Sequence, residues 1–376
     1  MKFLNSHNLL FNIELSEEEI EKKREEAKRH RIWGKIVEGR IASKLHLIPL
    51  TVYVSGKPMK MGGVCSVATW PEFRRSGMVK ELLANALQYM RDNGQVLSFL
   101  HPFSVPFYRK YGWEVTFNEK IYTIPIVNLQ RAWNIDGYVR RVLPEISLLK
   151  EIYCVYAKRY TGTILRDEKW WEQRVLKDDT QIAIAYNNKH QPEGYILFEV
   201  KDKQFTAIEM AYRSEIGMKL LLQFVSNHDS MVEKVEFVVP ENDNIPLLLE
   251  EPRFDTKVDP YFMARIVDVH GFLEQYPFVR SDKERAVCLR VVDNFLPENS
   301  GLFHVKQSVN GVIVDIVNMG GQEVITCSIQ QLTMIFLGYK RPTELFQLGL
   351  LQGNVAAINC LENMIPFQQT YLPDYF

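Results

Sequence analysis

Apolar residues recur at Val79, Leu82, Leu83, Ala86, Leu87 and Met90. That i, i+3, i+4, i+7 stripe predicts an amphipathic helix with one face on a core. Gly94 stands where such a helix ends. Upstream, residues 45–54 and 59–69 are apolar runs parted by Ser55-Gly56, which predicts neighbouring antiparallel strands. Residues 96–100 predict a buried strand, 104–110 a short helix, and the chain from Trp113 another strand. Residues 16–31 are almost wholly charged. Ser16 and Glu19 fit a capping box, and Glu18–Lys22, Glu19–Lys23 and Glu25–Arg29 fit i,i+4 pairing, so this segment predicts a solvated helix.

The middle third repeats the order strand, strand, strand, helix, strand. The strands fall at 181–186, 193–200, 205–211 and 233–239, with the helix near 214–227. An internal duplication of one α/β domain follows from that order. A helical stretch at 144–158 and the pair Trp170-Trp171, read as core or interface aromatics, lie between the copies. The last third differs: strands at 288–292, 303–309 and 312–317, a hairpin signal at Asn310-Gly311, and helices near 328–337 and 342–349. Chain ends are ordinarily polar and mobile. From Ile365 this one is rich in aromatics to its last residue, which predicts a packed tail.

The 376 residues suit two or three domains. Forty-five Lys and Arg against 46 Asp and Glu leave a net charge of −1, so charge gives no case for nucleic acid as a general partner. There is no run of 18 apolar residues, and Met-Lys-Phe-Leu-Asn-Ser-His lacks a signal-peptide core, so neither a membrane span nor export is expected. The five cysteines (65, 154, 288, 327 and 360) are odd in number and widely spaced, as reduced cytoplasmic thiols would be. No Cys or His pair has metal-ligand spacing, so no metal is expected. Cys65 lies in an apolar strand without a nearby base and reads as structural.

One segment carries chemistry. An apolar strand ends at Val67-Ala68-Thr69, a loop holds Arg74, Arg75, Ser76 and Gly77, and a helix begins at Met78-Val79-Lys80. A helix N-terminus presents unpaired N–H groups and a positive dipole end, and Gly77 lets a ligand approach the backbone. Together these suit a pyrophosphate. Neither a Walker A loop nor a dinucleotide fingerprint is present. A polar strand-to-helix turn with two surface arginines is the alternative that the loop alone leaves open.

In its context the Arg74-x-x-Gly77 loop resembles the acetyl-CoA loop of GNAT N-acetyltransferases, with Val79 in place of the final small residue. The downstream block Phe107-Tyr-Arg-Lys-Tyr-Gly-Trp113 resembles that family's second motif. Met61-Gly-Gly-Val, Val67-Ala-Thr, Pro71-Glu-Phe-Arg-Arg, and the segments beginning at Val291 and Ser328 resemble the enhanced-intracellular-survival (Eis) branch. The resemblance implies an α/β (α+β) protein of two tandem GNAT-type mixed-sheet domains, at 1–125 and 126–275, and a sterol-carrier-protein-like α+β domain at 276–376. The second GNAT copy is degenerate: in Tyr212-Arg-Ser-Glu-Ile-Gly217 the Arg and Gly stand one residue too far apart.

The resemblance further implies an acetyl-CoA-dependent N-acetyltransferase acting on a primary amine of an aminoglycoside, polyamine or lysine, within a homo-oligomer, a hexamer in that family. Val67, Ala68 and Thr69 would pair with the pantetheine arm. Residues 75–80 would hold the pyrophosphate with Arg74 nearby, and Phe103 and Ser104 would line the cofactor. Tyr108 would protonate the leaving thiolate, and the carboxylate of Phe376 would accept the amine proton. An ionised α-carboxylate can take up a proton. By charge alone Asp374, Glu14 and Glu18 are candidates for an acceptor pocket. A non-catalytic binding protein with a vestigial acetyl-CoA site stays open, as does a duplicated-GNAT aminoacyl-transferase, against which the intact loop and neutral charge argue.

Overall fold

The computed structural model describes residues 16–177, 179–318 and 324–376. The chain divides into two compact units. The first takes residues up to Thr116, Tyr261–Phe367 and Phe376; the second takes Phe117–Pro260 and Gln368–Tyr375.

In the first unit, helix α1 (Glu17–Ala27) begins on the Ser16–Glu19 capping box and buries no residue, as its charge pattern requires. Three antiparallel strands follow: β1 (Arg31–Val37), β2 (Arg40–Val54) and β3 (Lys57–Thr69). Helix α2 (Met78–Asp92) crosses over to β4 (Leu97–Leu100), which pairs parallel with β3. The stripe Leu82, Leu83, Ala86, Leu87 and Met90 is buried against Leu45, Leu47 and Val64 of the sheet. Gly94 takes φ +67° just past the helix end. Short helix α3 (Val105–Arg109) then leads to β5 (Glu114–Pro125).

In the second unit, β5 pairs with a sheet that also holds β6 (Gly137–Val142). Helix α4 (Ile146–Ala157), the two-residue strand β7 (Tyr160–Thr161) and the single turn α5 (Glu168–Trp170) precede the repeated motif. That motif is β8 (Gln181–Asn187), β9 (Pro192–Lys201), β10 (Gln204–Tyr212), α6 (Glu215–Ser226) and β11 (Lys234–Val239). As in the first copy, three antiparallel strands are followed by a helix and a parallel strand. Trp170 and Trp171 are buried, at 2% and 0% exposure.

Strand β12 (Asp255–Ile266) returns to the first unit, where Met263–Ile266 pairs antiparallel with β4. Helix α7 (Val269–Gln275) and strands β13 (Arg285–Val292), β14 (Gly301–Ser308), β15 (Gly311–Ile316) and β16 (Val324–Ser328) come next, in the sheet order β15-β14-β13-β16. Helices α8 (Ile329–Leu337) and α10 (Val355–Met364) pack on it, and α9 (Pro342–Gln347) packs on α10. Finally β17 (Gln369–Thr370) pairs parallel with β7. Of the tail, Tyr371, Leu372, Asp374 and Phe376 are buried, whereas Phe367 and Tyr375 are exposed, so the packing expected from its aromatics holds for only part of it. Among the described residues no helix is long and apolar enough to cross a membrane.

Candidate active site

The ladder between β3 and β4 stops at Gly63↔Phe99, while β3 runs on to Thr69. Beyond that point the two strands part. On its other side β3 carries a bulge: Lys44 opposes Ala68 but His46 opposes Cys65, so two residues face Leu45. Ser66, inside the bulge, holds φ +51°, a strained value for a non-glycine residue. Ser43 ties down the end of β3, donating to the Ala68 carbonyl at 3.1 Å and bonding Thr69 Oγ1 at 2.7 Å.

A cleft of about 520 Å³ opens where β3 ends and α2 begins. Its walls are Val67, Ala68 and Thr69; Phe73 through Lys80; and Phe103, Phe107 and Tyr111. The loop is shaped by a turn at Pro71–Phe73, a 2.6 Å bond from Ser76 Oγ to the Phe73 carbonyl, and left-handed backbone at Arg75 (φ +65°) and Gly77 (φ +83°). A Cβ on Gly77 would meet no protein atom within 4 Å, so the glycine is there for its conformation rather than for space inside the protein. No side chain caps α2, which leaves its first N–H groups facing the cleft. Arg74, Arg75 and Lys80 line the wall and no carboxylate does. None of the three makes an ion pair among the described residues. An unpaired helix N-terminus with three cations suits a pyrophosphate, so the residues fit acetyl-CoA.

Eleven of the twelve cofactor-contact residues named from sequence thus share one cleft; Ser104, Tyr108 and Phe376 are not on its wall. Ser104 is the N-cap of α3. Tyr108 is buried against two wall residues, its ring 5.4 Å from that of Phe103 and 5.1 Å from that of Phe107. Burial, with the Cys65 thiol nearby, pushes its phenol well above the ordinary range. The Phe376 ring is 5.0 Å from the Phe262 ring and covers Gly63, where β3 and β4 part. A Cβ on Gly63 would sit 2.7 Å from that ring.

Several neighbours were not singled out from sequence. Phe73 and Phe107 join the wall as apolar residues. His101 packs edge-on against Phe262 at 5.4 Å, and partial burial lowers its pKa. Lys44 is fully buried, and its ammonium pKa is pushed down to about 8 by burial, with Cys65 acting the other way.

The acidic candidates fall elsewhere. Asp374 accepts from Arg166 Nε at 2.9 Å and from Trp170 Nε1 at 2.7 Å, inside a buried network of the second unit. Glu18 is exposed and pairs with Lys22 at 3.1 Å. Glu14 lies outside the described residues. The second copy also lacks an open helix end. Ser214 caps α6 through Gly217 N–H, and a Cβ on Gly217 would lie 2.3 Å from the Glu193 carbonyl oxygen. That glycine serves helix–strand packing, which explains the wider Arg–Gly spacing.

Residues 1–116 and 162–266 each match an acetyltransferase (GNAT) domain, and residues 269–373 match a sterol carrier protein domain. The chain therefore carries tandem GNAT domains followed by a sterol-carrier-type domain. An uncharacterized N-acetyltransferase of Streptomyces avermitilis is 22% identical over 371 residues, covering 89% of this chain and 85% of that protein. An uncharacterized N-acetyltransferase of Streptomyces griseus is 26% identical over 133 residues, and the match spans about a third (32%) of its length. The crystal structure of a probable N-acyltransferase from Enterococcus faecalis V583 is 27% identical, with a TM-score of 0.91 over 100% of this chain and 96% of that one. Eis1 from Mycobacterium abscessus, at 19% identity, has a TM-score of 0.77 over 92% of this chain and 91% of its own, a likeness of fold.

Proposed function

We propose that this protein is an Eis-like enzyme that transfers an acetyl group from acetyl-CoA to a primary amine. The acceptor is an aminoglycoside-like compound, a polyamine or a lysine side chain. The observation that carries this reading is the cleft: an uncapped helix start and three cations beside the freed edge of β3. Acetyl-CoA, when bound, supplies the activated acyl group and a thiolate leaving group. The N–H groups of 78–80, with Arg74, Arg75 and Lys80, hold the pyrophosphate. The strand edge at 67–69 pairs with the pantetheine amides and polarises the thioester carbonyl.

The amine attacks that carbonyl directly. Its nitrogen forms the new C–N bond, the C–S bond breaks, and the Phe376 carboxylate takes the amine proton. Tyr108 donates to the departing sulfur. Its raised pKa keeps the phenol protonated over the physiological range, so it acts as donor and acid, never as base. Support for the base comes from the seat of Phe376 on Gly63.

The test follows release of free CoA thiol by untagged protein across aminoglycosides, polyamines and lysine peptides. Amine-dependent release is expected. Absence of both release and acetyl-CoA binding overturns the reading. Appending one glycine after Phe376 is expected to lower kcat on the order of 10²-fold with acetyl-CoA binding intact; unchanged turnover removes the carboxylate from the mechanism.

A further inference from the structure

The steps above make no use of Arg265, a fully buried cation on β12. Its guanidinium reaches in several directions. Nη1 donates to the carbonyl of Tyr111, Nη2 to Asp293 Oδ2, and Nε to the Ile266 carbonyl at 3.3 Å. The Trp113 ring stands 5.2 Å away. Tyr111, Gly112 and Trp113 form the turn that ends α3, the helix that carries Tyr108. Both Tyr111 N–H and Trp113 N–H donate back to the Tyr108 carbonyl, at 2.9 and 3.3 Å. Gly112 holds φ +88°, and a Cβ there would lie 2.7 Å from Arg265 Nη1, so the turn is fitted to the guanidinium.

Asp293 comes from the sterol-carrier-type domain, at the end of β13. Its Oδ1 accepts from the N–H groups of Phe295 and Leu296, each at 3.0 Å, and its Oδ2 from Asn299 Nδ2 at 3.0 Å. The loop so fixed presents the Phe295 ring to Tyr111 at 4.9 Å, and Tyr111 lines the cleft. One ion pair thus ties the third domain to the turn that ends α3 and, through Phe295, to Tyr111 on the cleft wall.

We propose that Arg265 and Asp293 are positioning residues for acetyl transfer. The sterol-carrier-type domain, through this pair, holds α3 in register so that Tyr108 meets the departing sulfur and Tyr111 keeps the cleft wall. A helix end leaves carbonyls without partners, and a cation satisfies them. Lysine cannot replace the fork, because a single ammonium does not serve two fixed partners and an aromatic face in one plane. The kinetic part of this inference rests on the acetyl-transfer reading; the structural part does not.

The experiment is a double-mutant cycle of Arg265→Lys with Tyr108→Phe, run with hydrogen exchange at residues 111–113. If Arg265 acts through Tyr108, Arg265→Lys lowers kcat by roughly 10- to 100-fold with KM for acetyl-CoA held within about 3-fold. In the Tyr108→Phe background the same change lowers kcat by less than about 2-fold. Exchange at 111–113 quickens by about 10-fold or more. Equal factors in both backgrounds mean a merely structural role and overturn the proposal. So does unchanged exchange, whether or not the wild type turns over. Full turnover by Tyr108→Phe removes Tyr108 as the acid and overturns the kinetic part, while exchange still decides the structural part. Should Arg265→Lys lose its cooperative melt, Phe295→Leu takes its place, with the same direction expected in both readouts.

Discussion

Gly63 separates placement of the chain's last residue from stability of the fold. Its backbone is outside the left-handed region, so alanine carries no conformational penalty there. The new Cβ would stand 2.7, 3.1 and 3.2 Å from Cε2, Cδ2 and Cζ of Phe376. Ordinary carbon contacts begin near about 3.5 Å, so the ring must retreat by roughly 0.8 Å. Phe262 is packed against it, 5.0 Å between centroids. Ring and carboxylate share one Cα, so the retreat displaces the carboxylate. Misplacement of a reacting group by about 1 Å costs on the order of 10²-fold in rate, about 2.7 kcal/mol of barrier. Gly63→Ala should therefore lower kcat in the CoA-release assay by about two orders of magnitude, with KM for acetyl-CoA nearly unchanged. Gly62→Ala is the control. Its Cβ would press on Met90 Sδ at 2.5 Å and Leu47 Cδ1 at 2.8 Å, wedging the core, so its main effect is on stability, by about 1–3 kcal/mol. Wild-type kcat in a folded Gly63→Ala protein would refute the role given to Phe376.

Arg75→Gly, which suits the left-handed φ at that position, and Lys80→Ala should each raise KM for acetyl-CoA roughly 10-fold and leave kcat within about 2-fold; unchanged KM and salt dependence would count against the pyrophosphate assignment. Lys44 should make stability rise with pH. Its pKa is about 8 when folded against an ordinary value of 10.5, so between those limits the unfolded chain binds more protons. The stability of the wild type relative to Lys44→Met should therefore increase between pH 7 and 10.5 by up to about 3 kcal/mol, and denaturant titrations that find a constant difference would contradict it.

What the sequence makes legible follows from how local each feature is. The α2 stripe, the Arg74-x-x-Gly77 loop and the Asn310-Gly311 hairpin are set by neighbours within a few residues, and all appear at their expected places. Strand β1 escapes notice because Arg31-Ile-Trp-Gly-Lys-Ile-Val follows directly on a charged helix and is only half-buried. Helix α10 is missed because Val355–Met364 looks like a mixed polar stretch until Ala357, Ile358, Leu361 and Met364 are seen to be buried. Strand β12 is hidden for another reason. Its partner β4 lies more than 150 residues earlier, and no local period records that pairing. Asp374 misleads because formal charge says nothing about a partner, and Arg166 already holds it. The depth of Tyr108 and the seat of Phe376 likewise depend on the packed structure, not on spacing.

The pairing of β4 with β12 also bears on the order in which the protein is made. Once the chain up to Thr116 has left the ribosome, the loop, the helix start and Tyr108 are all present. The strand that covers the far edge of β4 is not. At roughly 5–20 residues per second, the wait for residues 261–266 is on the order of 10–30 s. During that interval the nascent sheet presents a bare, apolar edge, Leu97-Ser-Phe-Leu100, which is a template for wrong pairing. The stretch of chain that carries the cleft is thus a late-maturing part of the protein although it is synthesised before β12.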